Sequence, residues 1–217
     1  MRSGQFMLVA ALLAPLTFAE PNITITPEKF QYCVVCHGVE LRGNSSVDAP
    51  NLSVLPAWYV ERQLLNFKQG LRAPAESSDL VGREMQPMVV HLNKSELQAA
   101  VKFVASVPER AAPSSIKGNV EKGRAYYRSC SACHGTQGEG SLALNAPRLA
   151  GQNDWYLVRQ LKVFKSGARG SAEGDRWGQQ MRLSLGALKD EDAIYDVVSY
   201  INSFSSINTE TEGENDS

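Results

Sequence analysis

The chain has 217 residues, 22 basic and 23 acidic side chains, a formal charge of −1 and 43% hydrophobic residues. This is the composition of a globular protein, not of a disordered chain. The near-neutral balance excludes the basic footprint of a nucleic-acid binder. No apolar run approaches the roughly 18 residues of a conventional membrane span.

At the start, Arg2 precedes an apolar stretch from Phe6 to Phe18. It is too short to span a bilayer but suits the core of a secretory signal, with a cut after Ala19. Residues 1–19 therefore read as a cleaved signal peptide, and the mature chain as exported to the periplasm. Thr26-Pro27-Glu28 looks like an N-cap with Pro at the first helical position. That helix runs into Cys33-Val34-Val35-Cys36-His37-Gly38. Trp58 to Gln69 has amphipathic helical spacing and closes on Gly70. Asn93-Lys94-Ser95-Glu96 reads as a capping box ahead of Leu97, Val101 and Val104. Pro108 to Lys117 has linker composition. Asn119 opens the next helix, which leads to Cys130-Ser131-Ala132-Cys133-His134-Gly135. Asp154 to Ser166 is amphipathic and closes on Gly167. Asp190 caps a last helix carrying Ile194, Val197, Val198 and Ile201. Beyond Phe204, Glu210, Glu212, Glu214 and Asp216 mark an acidic tail expected to be disordered. No alternating strand pattern persists, so the fold class is all-α.

The two cysteine motifs belong to an internal repeat with an offset of 97 residues. Ala49-Pro50 recurs as Ala146-Pro147, Trp58-Tyr59 as Trp155-Tyr156, and Arg62-Gln63-Leu64 as Arg159-Gln160-Leu161. Arg72 matches Arg169. One residue is then lost, so Gly82 and Met85 align with Gly178 and Met181. The organisation read from this is an N-terminal domain over 20–110, a linker over 111–117, a C-terminal domain over 118–206 and a tail over 207–217. Domains of this size with long loops bury only a modest core, so something else must fill their centres.

Cys-x-x-Cys-His is the attachment signature of a c-type haem: two thiols form thioethers and the adjacent His binds iron. Zinc or a redox disulfide would also use paired cysteines. However, a four-Cys zinc site leaves both His unexplained, and no βαβ setting for a thioredoxin-like pair is present. The expected cofactors are two covalently bound haem c groups, on Cys33, Cys36 and His37 and on Cys130, Cys133 and His134. Iron in electron-transfer cytochromes is commonly held by Met opposite His. Met181 is the candidate in the second domain and Met85 its partner under the repeat. Met88 and His91 have no counterpart there. Pro50 and Pro147 each follow the His by 13 residues, so their carbonyls are candidates to accept the other imidazole N–H. Arg159, Lys162, Lys165, Arg169, Arg176 and Arg182 fall close together in sequence near Met181 and could form a basic docking face.

These motifs, with Pro147-Arg148-Leu149-Ala150-Gly151-Gln152 before a Tyr…Gln-Leu helix, resemble the class I cytochromes c, and more closely the dihaem cytochrome c-four family. The likeness runs from about Thr26 to Phe204. Asn51-Leu52-Ser53-Val54-Leu55 departs from it, where the second domain keeps Gly-Gln. The resemblance implies two class I domains related by a pseudo-twofold axis, with haem propionates near their interface. It implies a non-enzymatic electron carrier from a quinol-oxidising cytochrome bc complex to a haem–copper oxidase. It would be a monomer or weak homodimer that meets membranes only through its redox partners. The alternatives are the cytochrome subunit of a periplasmic dehydrogenase, such as a flavoprotein sulfide dehydrogenase, and a dihaem peroxidase. The last would need one iron lacking Met.

Overall fold

The computed structural model describes residues 27–212, with side chains described as far as Phe204. The expected signal peptide lies outside the described residues. Domain one contains α1 (Gln31–His37), a hairpin of β1 (Arg42–Asn44) and β2 (Ala49–Asn51), then α2 (Ala57–Lys68), α3 (Leu80–Arg83), α4 (Met85–Val89) and α5 (Lys94–Ser106). Domain two contains α6 (Val120–His134), α7 (Asp154–Lys165), α8 (Arg176–Leu183) and α9 (Glu191–Glu212).

Local chemistry sets most of these boundaries. Asn93 and Glu96 form the expected capping box at α5. The Asn119 side chain accepts from Lys122 N at 3.0 Å to start α6, and Asp190 accepts from Ala193 N at 2.9 Å to start α9. Gly70 and Gly167, with φ of 70° and 80°, end the turns after α2 and α7.

Three local expectations change. The first helix opens at Pro27, without a side-chain cap, as a 3-10 turn over Glu28–Phe30. A two-stranded antiparallel hairpin pairs Arg42 with Asn51 and Asn44 with Ala49, and its counterpart in domain two shrinks to one bridge between Ser141 and Ala146. Strands of three residues are too short to show alternation. Finally, α9 continues to Glu212, where a disordered tail was expected from residue 207. Once a helix is nucleated, each added residue costs little, and Glu is a good helix former.

Domain two is organised by α6, α7 and α9 around one core that includes Tyr127, Leu157, Phe164, Val197, Val198 and Phe204. The Gly123 backbone lies so close to α9 that a Cβ there would run into the Asp196 carbonyl. Domain one splits its core: Phe30, Leu41, Val60, Phe103 and Val104 form one cluster, and Phe67, Ala73 and Val89 another.

The halves contact each other reciprocally. Arg72 donates to Gln63 of its own domain (2.9 Å) and, across the interface, to the Tyr156 hydroxyl (3.0 Å) and Gln160 (3.3 Å). Arg169 donates to Gln160 of its own domain (2.5 Å) and across to the Tyr59 hydroxyl (3.0 Å) and Gln63 (2.9 Å). Each guanidinium lies 4.4 Å over a ring of its own domain, Phe67 or Phe164. Such exchange of roles is what a twofold relation produces. Asn51, fully buried, adds a seam: its N–H meets the side chains of Gln152 (2.9 Å) and Asn153 (2.8 Å), and its Nδ2 donates to Arg110 O (2.8 Å).

The linker is extended and pinned. Ala112 N donates to Gly151 O at 2.8 Å. Asp154, fully buried, accepts from Ser115 N and Oγ, from Ile116 N (2.8 Å) and from Asn202 Nδ2 (3.1 Å).

Candidate functional site

The cysteine motifs occupy equivalent places, the last turns of α1 and α6, and each helix ends on its His. His37 and His134 are each 6% exposed. His37 Nδ1 lies 2.9 Å from Pro50 O, and His134 Nδ1 lies 2.7 Å from Pro147 O. A carbonyl can only accept, so Nδ1 carries the proton and Nε2 presents its lone pair. Burial pushes both imidazole pKa values down, against the pull of the proline carbonyls, which keeps the neutral form that binds metal. Burial likewise pushes the Cys33 and Cys130 thiols up. None of the four cysteines is in a disulfide. Among the described residues no group of three or more His, Cys, Asp or Glu is placed to hold a metal together.

In domain two, Cys130, Cys133, His134, Pro147 and Met181 line one cleft. It encloses about 1360 Å³ of non-atom space, part of it open to solvent at the mouth. Its walls are apolar, with Leu157, Leu161, Phe164, Leu185 and Val197. In domain one, Met85 is half-buried against the cluster of Phe67, Ala73 and Val89. Met88, two residues past Gln86 on the same short helix, is 43% exposed. His91 is exposed in the turn before α5.

Where the cleft meets domain one it is lined by Tyr59, Arg62, Gln63, Gln160 and Arg169. This suits a flat apolar macrocycle with anionic carboxylates on one edge. Arg72 and Arg169 are buried cations that hydrogen-bond to neutral oxygens, an expensive arrangement without an anion. Arg72 Nε and Gln160 Nε2 are buried donors left without a partner. The residues present therefore fit a haem with its carboxylates turned toward the interface.

The basic stretch near Met181 does not form one face. Arg169 is buried in the interface cluster, and Arg159 pairs across it with Asp79. Lys162 pairs with Glu191, and Lys165 donates to Leu188 O at 2.6 Å. Nearness in sequence spread these cations around a helix and a turn. Sequence reasoning also missed the interface roles of Tyr59, Gln63 and Arg72. The signal was their retention as Tyr156, Gln160 and Arg169, but aromatics at helical spacing read equally well as core.

Two Cys-x-x-Cys-His helices, each with a proline-oriented imidazole and the second lining a cleft, define a c-type cytochrome of two domains. The cytochrome c family model matches residues 28–108 and 120–205. A cytochrome c4 from Azotobacter vinelandii is 32% identical over 209 residues, 90% of this chain and 95% of that protein. A protein named thiosulfate dehydrogenase electron acceptor, from Thiomonas intermedia, is 31% identical over 187 residues, 82% of each chain. The structure of Acidithiobacillus ferrooxidans cytochrome c4 superposes with a TM-score of 0.63 at 25% identity, over 80% of this chain and 99% of that one. The chain belongs to the cytochrome c family and, within it, to the dihaem cytochrome c4 proteins. It is an electron-transfer cytochrome with two covalently bound haem c groups.

Proposed function

We propose that the chain is an exported relay that accepts electrons from a quinol-oxidising cytochrome bc complex and delivers them to a haem–copper oxidase. In this reading residues 1–19 are removed after Ala19 and the protein works in the periplasm. Cys33 and Cys36, and Cys130 and Cys133, anchor the two haems. His37 and Met85, and His134 and Met181, would hold the irons. Bound there, each haem c supplies one-electron Fe(III)/Fe(II) chemistry. Pro50 and Pro147 fix the imidazoles by accepting hydrogen bonds from Nδ1–H, and the apolar walls of the domain-two cleft exclude water.

The observation that supports the relay reading is the reciprocal Arg72/Arg169 cluster, which joins the two domains at the end of the domain-two cleft where haem carboxylates would sit. An electron entering at one domain then has a fixed route to the other. Stopped-flow mixing of the haem-loaded protein with the reduced bc complex, and then with the oxidase, tests it. Both steps are expected to outpace the turnover of either complex; a slow step with either partner overturns the route. A second reading is favoured by the likeness to the Thiomonas protein: the electrons come from a periplasmic dehydrogenase such as one oxidising thiosulfate. Fast reduction by that enzyme, with slow reduction by the bc complex, would select it.

A further inference from the structure

The cleft of domain two is not built by domain two alone. Tyr59, Arg62 and Gln63 of α2, in domain one, close its polar end. Arg62 is half-buried there. Its Nη1 and Nη2 donate to Asn145 Oδ1 (3.2 Å) and Asn145 O (2.9 Å). The guanidinium lies 5.0 Å over the Trp58 ring and 5.2 Å over the Tyr59 ring. Among the described residues it forms no ion pair. Burial disfavours its charge most and the neighbouring Arg169 adds to that, while Tyr59 and, more weakly, Asp175 support it through space, for a net direction down.

Its counterpart under the repeat, Arg159, stands differently. It is ion-paired with Asp79, whose side chain is 1% exposed. Asp79 also accepts from Gly82 N at 3.0 Å. The Asp175 side chain accepts from Gly178 N at 3.0 Å in the same way, but does not close an ion pair on Arg62. One cation of the equivalent pair is thus neutralised and the other is not.

We propose that Arg62 is a positioning and tuning residue that domain one supplies to the haem of domain two. Its guanidinium engages that haem's carboxylate edge and raises the reduction potential of the iron at His134. Arg159, held by Asp79, gives no equal help to the iron at His37. The warrant is electrostatic. Reduction removes one unit of positive charge from an iron site, which a nearby haem carboxylate opposes; a cation not already neutralised by a protein carboxylate offsets that charge and favours the reduced form. A guanidinium fork matches a carboxylate geometrically, and a lysine supplies only the charge.

The inference rests on the reading that His134 and Met181 hold the iron in this cleft. Its test keeps the two apart. Potentials of the haem-loaded wild type, Arg62→Gln, Arg62→Lys and Arg159→Gln would be measured by spectroelectrochemical titration. Each potential is assigned to its haem by the paramagnetically shifted haem-methyl NMR signals. Arg62→Gln is expected to shift the redox equilibrium of the domain-two haem about tenfold toward the oxidised form, ~59 mV. The domain-one haem should stay unmoved, Arg62→Lys should recover more than half of the shift, and Arg159→Gln should move either haem less than about twofold. The Met–iron charge-transfer band should persist in every variant. Unchanged potentials, equal shifts in both haems, or an Arg62→Lys loss as large as Arg62→Gln would overturn the tuning role. Loss of the band in Arg62→Gln alone would show a role in folding the site and overturn it too. If Met181→Ala leaves the band whole, the ligand reading fails instead.

Discussion

The two halves repeat one sequence pattern, and they differ most in how each holds itself together. Domain two wraps α6 and α9 tightly, with Gly123 at the crossing and an aromatic group of Tyr127, Tyr200 and Phe204 beside it. Domain one has a shorter α1, a stacked Phe30–Phe103 pair 5.4 Å apart in the corresponding place, and a core in two pieces. Domain two also owns the anchor of the linker: Asp154 has Ala57 as its counterpart. Yet the His–Pro bond and the Tyr-Gln-Arg set persist in both. The cofactor site and the interface kept their chemistry while the scaffolding around them drifted.

The sharpest probe of this equivalence is the pair of thioethers. Met85→Ala and Met181→Ala are each expected to abolish half of the Met-to-iron charge-transfer absorbance of the oxidised protein, and Met88→Ala to leave it whole. The reverse result for Met85 and Met88 would break the symmetry of the two sites. Next in size is Asp154→Ala. It strands the Ser115, Ile116 and Asn202 donors and should lower unfolding free energy by about 3 kcal/mol in urea melts. A loss below about 1 kcal/mol would show that the strap is held elsewhere.

The same carboxylate predicts a pH effect. Burial raises its pKa, but the Ser115, Ile116 and Trp155 donors prevail and the net direction is down. Its stabilisation is therefore complete above the ordinary carboxylate range and is lost as pH falls through the folded value. Asp154→Asn should flatten the acid limb of a stability–pH profile; an unchanged limb would assign acid sensitivity to other groups. A smaller effect, about 2 kcal/mol, is expected for Gly43→Ala. Gly43 has φ +88°, and a Cβ there would strike Asn153 of the other domain. Its twin Gly140 faces Arg148 and Pro147 of its own domain, so Gly140→Ala should disturb the His134 environment. Identical spectral changes in the two variants would contradict this division.

Much of this was legible in the sequence because it was local or repeated. The caps Asn93, Asn119 and Asp190, the helices they start, both cysteine motifs and the two proline acceptors all depend on neighbours within about a dozen residues. The interface was not legible, because Asn51 meets Gln152 across 101 positions and Arg72 meets Tyr156 across 84. Asn51 stood out only as a departure from the Gly-Gln pattern; packing turned that departure into the seam between the domains. The basic face failed for the opposite reason, since sequence neighbours were mistaken for spatial ones.

The Tyr-Gln-Arg cluster has one more consequence. Each half contributes a hydroxyl, an amide oxygen and a guanidinium, and each set completes the other without any group peculiar to one side. Such a patch is its own complement. The two halves thus meet through the geometry of an isologous homodimer interface, written within a single chain.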